Sequence, residues 1–139
     1  MRISSFEIDH TTLQKDIYLS RVDGDIITLD LRMRRPYVDS PLSIVQMHSL
    51  EHLLASALRN GNDKDKIIYC GPMGCATGFY VLVRESDFEK AKSIALEALK
   101  SIESIKKMPG NSKKECGDFR TLDLKVGQDL AREYLEFVS

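Results

Sequence analysis

The chain has 139 residues, of which 42% are hydrophobic and 29% are charged, and its formal net charge is −1. Length and composition predict one soluble globular domain over residues 1–139. The near-zero net charge argues against a nucleic-acid or anionic-membrane surface, and no apolar run reaches the roughly 20 residues of a membrane span. The N-terminal stretch lacks the apolar core of a signal peptide, so no secretory leader is expected.

The first predicted elements are two strands joined by a tight turn. Residues 14–22 and 25–33 alternate between apolar and polar side chains, as half-buried strands do. Asp23-Gly24 between them is typical of a β-hairpin turn. The run of residues 34–36, Arg-Arg-Pro, then ends the second strand. The pattern predicts an antiparallel strand pair before the first helix.

The first long helix is predicted to begin at Ser40. Serine is a favoured N-cap, and Pro41 occupies the first helical position, where proline is well tolerated. The apolar pattern continues to about Asn60, and Gly61 stands where a glycine commonly ends a helix. This helix carries two of the three histidines of the chain.

The remainder of the chain predicts two more strands and two more helices. A capping box over residues 86–89 opens the first of these helices, and Gly127 weakens the second. The expected elements are strands over 66–70 and 79–83, a turn-rich loop over 71–78, a helix from Ser86 to about Ile105, a loop over 106–114 and a helix over about 123–138. Clustered strands and long helices predict an α+β fold, with an antiparallel sheet packed against the helices.

The helix over residues 43–60 combines a broad apolar face with ionisable side chains. At 100° per residue, His48 and His52 lie one turn apart at the edge of the apolar arc, so their imidazoles can meet at one point. Glu51 falls inside that arc, where desolvation disfavours its charged form. Burial of such groups usually serves pairing or chemistry. The predicted solvent-facing arc contains Gln46, Ser49, Ser56 and Asn60, with Leu53 as an apolar exception.

The spacing H-x-x-E-H, formed by His48, Glu51 and His52, is typical of a metal site. A single histidine at a core edge is more often structural, whereas two at i, i+4 with a glutamate between them favour a metal. The same spacing is the signature of one class of zinc metallopeptidase, in which the glutamate activates a metal-bound water. A peptidase, which requires a third ligand, or a metal-binding domain without catalytic activity is therefore an alternative.

Three cysteines without a secretory signal indicate a reducing compartment rather than a disulfide framework. Cys116 follows the 106–114 loop and is either a third metal ligand or a small buried residue. Cys75 lies in a turn rich in glycine and proline, which can present its thiol for proton transfer or nucleophilic attack. Cys70 ends an apolar strand and is interpreted as a core residue.

Several short segments, read in order, carry a family resemblance. They are SFEIDH (5–10), DLR (30–32), HSLEHLLA (48–55), PMGCATGFY (72–80) and ECG (115–117). Together they resemble the S-ribosylhomocysteine lyase family, the LuxS-type enzymes, from residue 5 to about residue 138. Motifs that match in register are far more specific than H-x-x-E-H alone.

The resemblance implies a homodimeric α+β metalloenzyme of the bacterial cytoplasm, with two active sites near the dimer interface. By that match, His48, His52 and Cys116 would hold one divalent metal. In the family this metal is natively Fe(II), and Zn(II) or Co(II) can replace it. Cys75 and Glu51 would be the acid/base pair.

The reaction that the resemblance implies is cleavage of the thioether in S-ribosylhomocysteine. The carbonyl migrates along the ribose until it lies β to sulfur, and elimination releases homocysteine and a dihydroxypentanedione, an autoinducer precursor. The product would serve quorum sensing or only the recycling of methylation by-products in the methionine cycle. Ser5, His10 and Arg32 would line the substrate site. The chain departs from the family at Tyr69 and Gly71, where Asp and Ser are usual.

Overall fold

A four-stranded antiparallel sheet and three α-helices make up residues 8–138, the part of the chain described by the computed structural model. In space the strands follow the order β1-β2-β4-β3. The elements are β1 (Asp16–Asp23), β2 (Ile26–Arg32), α1 (Ile44–Arg59), β3 (Ile67–Pro72), β4 (Gly78–Arg84), α2 (Phe88–Ser101) and α3 (Leu124–Val138). The α+β prediction is confirmed. Ser5 lies outside the described residues.

β1 and β2 form the predicted hairpin. Asp23 pairs with Ile26, so the two turn residues are Gly24 and Asp25, one position later than the sequence suggested. Gly24 has a φ of 59°, in the left-handed region that favours glycine. The register of this hairpin places alternate polar residues of β2 on one face of the sheet.

α1 has Ser43 as its N-cap. Ser43 Oγ accepts a hydrogen bond from the Gln46 backbone N–H (3.0 Å), and the Ser43 N–H donates to Gln46 Oε1 (2.8 Å), which completes a capping box. The Leu42 N–H donates to the Ala76 carbonyl (2.7 Å), which holds the preceding residues against the β3–β4 loop. The prediction that α1 begins at Ser40 is therefore wrong.

α2 is capped by Asp87. Its side chain accepts a hydrogen bond from the Glu89 N–H (2.9 Å), and a carboxylate is as favourable a cap as a hydroxyl. The predicted capping box at Ser86 is therefore wrong by one residue. α2 ends at Ser101 and a 3₁₀ turn continues the chain to Ser104.

α3 covers the face of α1 that was predicted to face solvent. Ser49 and Leu53 are both fully buried. A Cβ atom at Gly127 would lie 2.5 Å from Leu53 Cδ1 and 3.1 Å from Ser49 Cβ, so this glycine allows the two helices to approach closely. Ser49 Oγ accepts a hydrogen bond from the Asp123 N–H (2.8 Å). The prediction that Ser49 faces solvent is therefore wrong. Leu53, the apolar exception on the predicted solvent face, is explained because α3 covers it.

The hydrophobic core lies between the helices and one face of the sheet. Tyr134 of α3 ties the two layers together, because its hydroxyl donates to the Asp16 carbonyl of β1 (2.6 Å). Asp30 and Arg32 alternate with core residues along β2 and lie on the opposite face. Buried core residues include Leu29, Leu31, Leu50, Leu54, Phe79, Val81, Val83 and Leu99. Within residues 8–138, no helix is long and apolar enough to cross a membrane.

Candidate metal centre and thiol cluster

The structure brings His48, His52 and Cys116 together. One ligand atom from each residue lies within 4.8 Å of the others, and His48 Nε2 is 3.3 Å from Cys116 Sγ. The two imidazole centroids are 4.8 Å apart with the rings at 87°. Metal bonds of about 2.1 Å to nitrogen and 2.3 Å to sulfur, at a tetrahedral angle, place the two donor atoms about 3.5 Å apart. The group therefore fits a metal ion between its members.

Both imidazoles are held by hydrogen bonds at Nδ1. His52 Nδ1–H donates to the Pro109 carbonyl (2.8 Å), which can only accept. His48 Nδ1 lies 2.6 Å from Thr121 Oγ1, whose own hydrogen is donated to the Asp118 carbonyl (3.1 Å), so His48 Nδ1–H is the donor. Both rings therefore carry their proton on Nδ1 and keep Nε2 unprotonated, as a metal ligand requires.

The loop between α2 and α3 delivers the third donor to α1. The Cys116 N–H donates to the Ser112 carbonyl (3.0 Å), which fixes the backbone at the thiol. Gly110 has a φ of 66°, and a Cβ there would lie 3.1 Å from His52 Nδ1. Glycine thus allows the loop to cross directly over the histidine. The sequence marks Pro109 and Gly110 only as part of the predicted 106–114 loop, and neither they nor Thr121 were predicted to contact the histidines.

Glu51 is half-buried and lines a cavity of about 440 Å³ beside His52. Arg59, Cys70 and Gly110 also line this cavity. Burial and the nearby charge of Glu51 raise the pKa of Cys70 to about 12, so this wall carries a neutral thiol. Cys70 packs against the hydrophobic core, as its sequence position predicted.

Cys75 lies outside the metal group, in the turn between β3 and β4. Its thiol is exposed, as the turn sequence predicted. Cys75 Sγ is 2.9 Å from Thr77 Oγ1 and 4.0 Å from Arg32 Nη1. Arg32 donates from Nη1 to Thr77 Oγ1 (2.7 Å) and from Nη2 to Asp30 Oδ2 (2.7 Å). We call Asp30, Arg32, Cys75 and Thr77 the thiol cluster.

The structure places two of the predicted substrate residues at this cluster. The Arg32 side chain is only 1% exposed, and it contacts the exposed residue Cys75 from below the surface. Half-buried His10 lies within electrostatic reach of Asp30. Burial raises the pKa of Asp30, and the Arg32 guanidinium partly opposes that shift. Among the described residues, no hydrogen bond joins the thiol cluster to the metal group.

The two departures from the family pattern, Tyr69 and Gly71, are coupled in space. Both lie on β3, an edge strand of the sheet, and a Cβ at Gly71 would overlap the Tyr69 ring and hydroxyl. Tyr69 is 51% exposed. The glycine therefore creates the space that the tyrosine occupies, and a serine at residue 71 would displace the ring.

An α+β fold in which two histidines and a cysteine converge on one point defines a candidate metalloenzyme. The chain matches the family model described as S-Ribosylhomocysteinase (LuxS) over residues 3–139. An S-ribosylhomocysteine lyase of Clostridium beijerinckii is 39% identical over an alignment of 142 positions, gaps included, that covers 96% of this chain and 89% of that protein. An enzyme of the same name from Desulfotalea psychrophila is 40% identical, over 96% of this chain and 88% of its own length. Another from Borreliella burgdorferi is 35% identical, over 99% of this chain and 92% of its own length. The chain belongs to the LuxS family of S-ribosylhomocysteinases.

Proposed function

We propose that this chain is a carbon–sulfur lyase that cleaves the thioether of S-ribosylhomocysteine to homocysteine and a dihydroxypentanedione. Family membership and similarity to S-ribosylhomocysteine lyases over nearly the whole chain support this substrate. The single observation that carries the chemistry is the convergence of His48, His52 and Cys116 within 4.8 Å. We extend the proposal to one lyase domain over residues 1–139.

His48, His52 and Cys116 are the proposed ligands of one divalent metal per chain. The family resemblance favours Fe(II), with Zn(II) or Co(II) as substitutes. When bound, the metal supplies Lewis-acid stabilisation of negative charge that develops on a substrate oxygen. Two neutral imidazoles and one thiolate leave a net charge of +1 on this centre, which remains electrophilic. The hydrogen bonds at both Nδ1 atoms support the proposal, because they orient the rings in advance.

Glu51 and Cys75 are the proposed acid/base pair. The carbonyl must move along the ribose by proton shifts before β-elimination can expel the sulfur. Glu51 lines the cavity beside His52, a position suited to moving protons between substrate oxygens and the later carbon. Cys75 is exposed, with Arg32 and Thr77 next to its sulfur, and as a thiolate it would remove the proton from carbon.

Ser5, His10 and Arg32 are proposed to line the substrate site. Two of the three are supported by position, because Arg32 belongs to the thiol cluster and His10 lies within electrostatic reach of Asp30 in it. The proposal for Ser5 rests on the family resemblance alone. We further propose, from the same resemblance, that the protein acts in the bacterial cytoplasm and that its product enters quorum sensing or methionine recycling.

We also propose a homodimer with active sites near its interface. Large apolar side chains are exposed in the single chain, among them Leu19, Val22 and Tyr69, and a partner subunit would cover such surface. Sedimentation at twice the mass of the 15.8 kDa chain is expected at micromolar concentration. A species of single-chain mass under those conditions would contradict the dimer.

The test of the proposed function is release of free thiol from S-ribosylhomocysteine by the purified, metal-loaded protein. Glu51→Gln and Cys75→Ala should retain bound metal and lose turnover by about 100-fold or more, as loss of a general acid or base does. Glu97→Gln is a matched control, because Glu97 is exposed on α2 and should leave turnover unchanged.

The alternatives predict different outcomes in the same experiment. Peptide hydrolysis without thiol release would favour the H-x-x-E-H peptidase. Bound metal with turnover of neither substrate would favour a non-catalytic metal-binding domain. Loss of metal from Cys75→Ala would show that this residue is a ligand and would overturn its proposed role.

A further inference from the structure

Thr77 connects the only cation of the thiol cluster, Arg32, to the thiol of Cys75. Its hydroxyl oxygen lies 2.7 Å from Arg32 Nη1 and 2.9 Å from Cys75 Sγ. Thr77 is 5% exposed, whereas Cys75 is exposed. The hydroxyl is therefore held below the thiol, on the side away from solvent.

The direction of these hydrogen bonds follows from the groups involved. A guanidinium has no acceptor, so Arg32 must donate to Thr77 Oγ1. The hydroxyl hydrogen of Thr77 then remains available, and Cys75 Sγ is the other hydrogen-bond partner described for it. When Cys75 is a thiolate, its sulfur can only accept. The arrangement thus directs one O–H donor, polarised by a cation, at the sulfur.

The charged groups around Cys75 largely neutralise one another, which makes the hydrogen bond from the Thr77 hydroxyl important for the sulfur. Asp30 is fully buried and forms an ion pair with Arg32, which neutralises much of the positive charge facing the thiol. Burial raises the pKa of Tyr80, another neighbour of Cys75, so its phenol adds no charge at neutral pH. His10 interacts electrostatically with Asp30, the ion-pair partner of Arg32. A directional hydrogen bond is then the nearest stabilising contact for the sulfur.

The backbone that follows Cys75 is fixed by hydrogen bonds to other parts of the chain. The Thr77 carbonyl accepts hydrogen bonds from the N–H groups of Met33 (2.9 Å) and Arg34 (3.0 Å). Ala76 has a φ of 61°, and its carbonyl accepts from the Leu42 N–H (2.7 Å). Because these bonds come from the segment after β2, Thr77 is positioned by the sheet rather than by the turn alone.

We propose that Thr77 is a positioning residue, whose hydroxyl accepts from Arg32 and donates to the Cys75 thiolate. Its importance for turnover rests on the proposed function, in which Cys75 removes a proton from carbon. Its effect on Cys75 itself needs no substrate. The two proposals can therefore fail separately.

The test is the rate at which iodoacetamide alkylates Cys75, resolved by peptide mass spectrometry between pH 5 and pH 9. Thr77→Val removes the hydroxyl at nearly constant volume and should slow Cys75 alkylation at pH 7 about tenfold. Thr77→Ser keeps the hydroxyl and should stay within about twofold of the original rate, since only a methyl group is lost. Equal rates for the original protein and Thr77→Val would overturn the proposal.

Two further measurements test the role of Thr77, one without any variant and one in the lyase assay. In the unmodified chain, Cys75 should be alkylated faster at pH 7 than the cysteine of a short unstructured peptide, and an equal or slower rate would overturn the proposal even if the variants fail to fold. In the lyase assay, Thr77→Val should lower kcat with little change in KM. A protein that releases no homocysteine but shows the alkylation pattern would refute the lyase proposal and leave the role of Thr77 intact.

Discussion

Thr121 and Pro109 orient the two histidines of the metal group from positions 73 and 57 residues away along the chain. The convergence of His48 and His52 was predictable, because i, i+4 spacing places two side chains on one helical face. The partners of their Nδ1 atoms were not, since a loop signal at Pro109 and a lone threonine do not indicate which distant group each one contacts. Sequence spacing thus predicted the two histidines as candidate ligands, and the fold decides their tautomers.

At the residue scale, we predict that Thr121→Val weakens metal binding about tenfold or more. The variant leaves His48 Nδ1–H without its acceptor, and loss of such an outer contact typically costs 10- to 100-fold in metal affinity. Competition for Co(II) against a chromophoric chelator measures the change. Thr121→Ser keeps the hydroxyl and should bind Co(II) with nearly the original affinity. An unchanged affinity in Thr121→Val would contradict the assigned hydrogen bond.

The helices show which element boundaries a sequence can predict. The overall pattern of strands and helices was predictable, because it depends on apolar periodicity and on glycine and proline. The start of α1 was not, since Ser40 and Ser43 are equally good caps in isolation. The bond from Leu42 to the β3–β4 loop, between distant residues, decides between them. The burial of Ser49 has the same origin, because α3 covers that face only in the folded chain.

At the element scale, we predict that Ser43→Ala destabilises the protein by about 1 kcal/mol. The variant removes the oxygen that accepts from the Gln46 N–H in the first turn of α1. Ser40→Ala is the matched control, because Ser40 is exposed and precedes the helix, and its unfolding free energy should change little. Urea denaturation of both variants provides the measurement. The reverse ranking would restore Ser40 as the N-cap.

A second prediction at this scale concerns the turn before α1. Hydrogen bonds from the Arg35 side chain and backbone N–H lower the pKa of Asp39 to about 2. A lowered pKa means that the charged form stabilises the fold above the ordinary value of about 3.9, and that this stabilisation is lost as pH falls through about 2. Asp39→Asn should therefore lower the urea midpoint at pH 7, with a difference that narrows below about pH 4. A difference that widens on acidification would contradict this assignment.

At the scale of the whole molecule, the metal group joins two segments that lie far apart along the chain. His48 and His52 belong to α1, whereas Cys116 belongs to the long connection between α2 and α3, in which the last described 3₁₀ turn spans Phe119–Thr121. The Ser49–Asp123 hydrogen bond anchors the end of this connection to α1. A metal bound by all three ligands would therefore cross-link the connection to the central helix.

Metal removal should consequently lower the stability of the entire fold. A ligand that binds only the folded state adds RT ln(1 + [L]/Kd), which is about 2.7 kcal/mol at 100 times Kd and corresponds to a Tm shift of about 5 °C or more. Calorimetry of chelator-treated protein, before and after Zn(II) is restored, measures the shift.

Cys116→Ser should show a smaller Zn(II)-dependent shift, because a hydroxyl is a poor substitute for a thiolate ligand. Cys70→Ser is the matched control: Cys70 lies outside the metal group, so any loss of baseline stability should leave the full Zn(II)-dependent shift in place. Equal shifts in the Cys116 variant and the original protein would show that Cys116 is not a ligand.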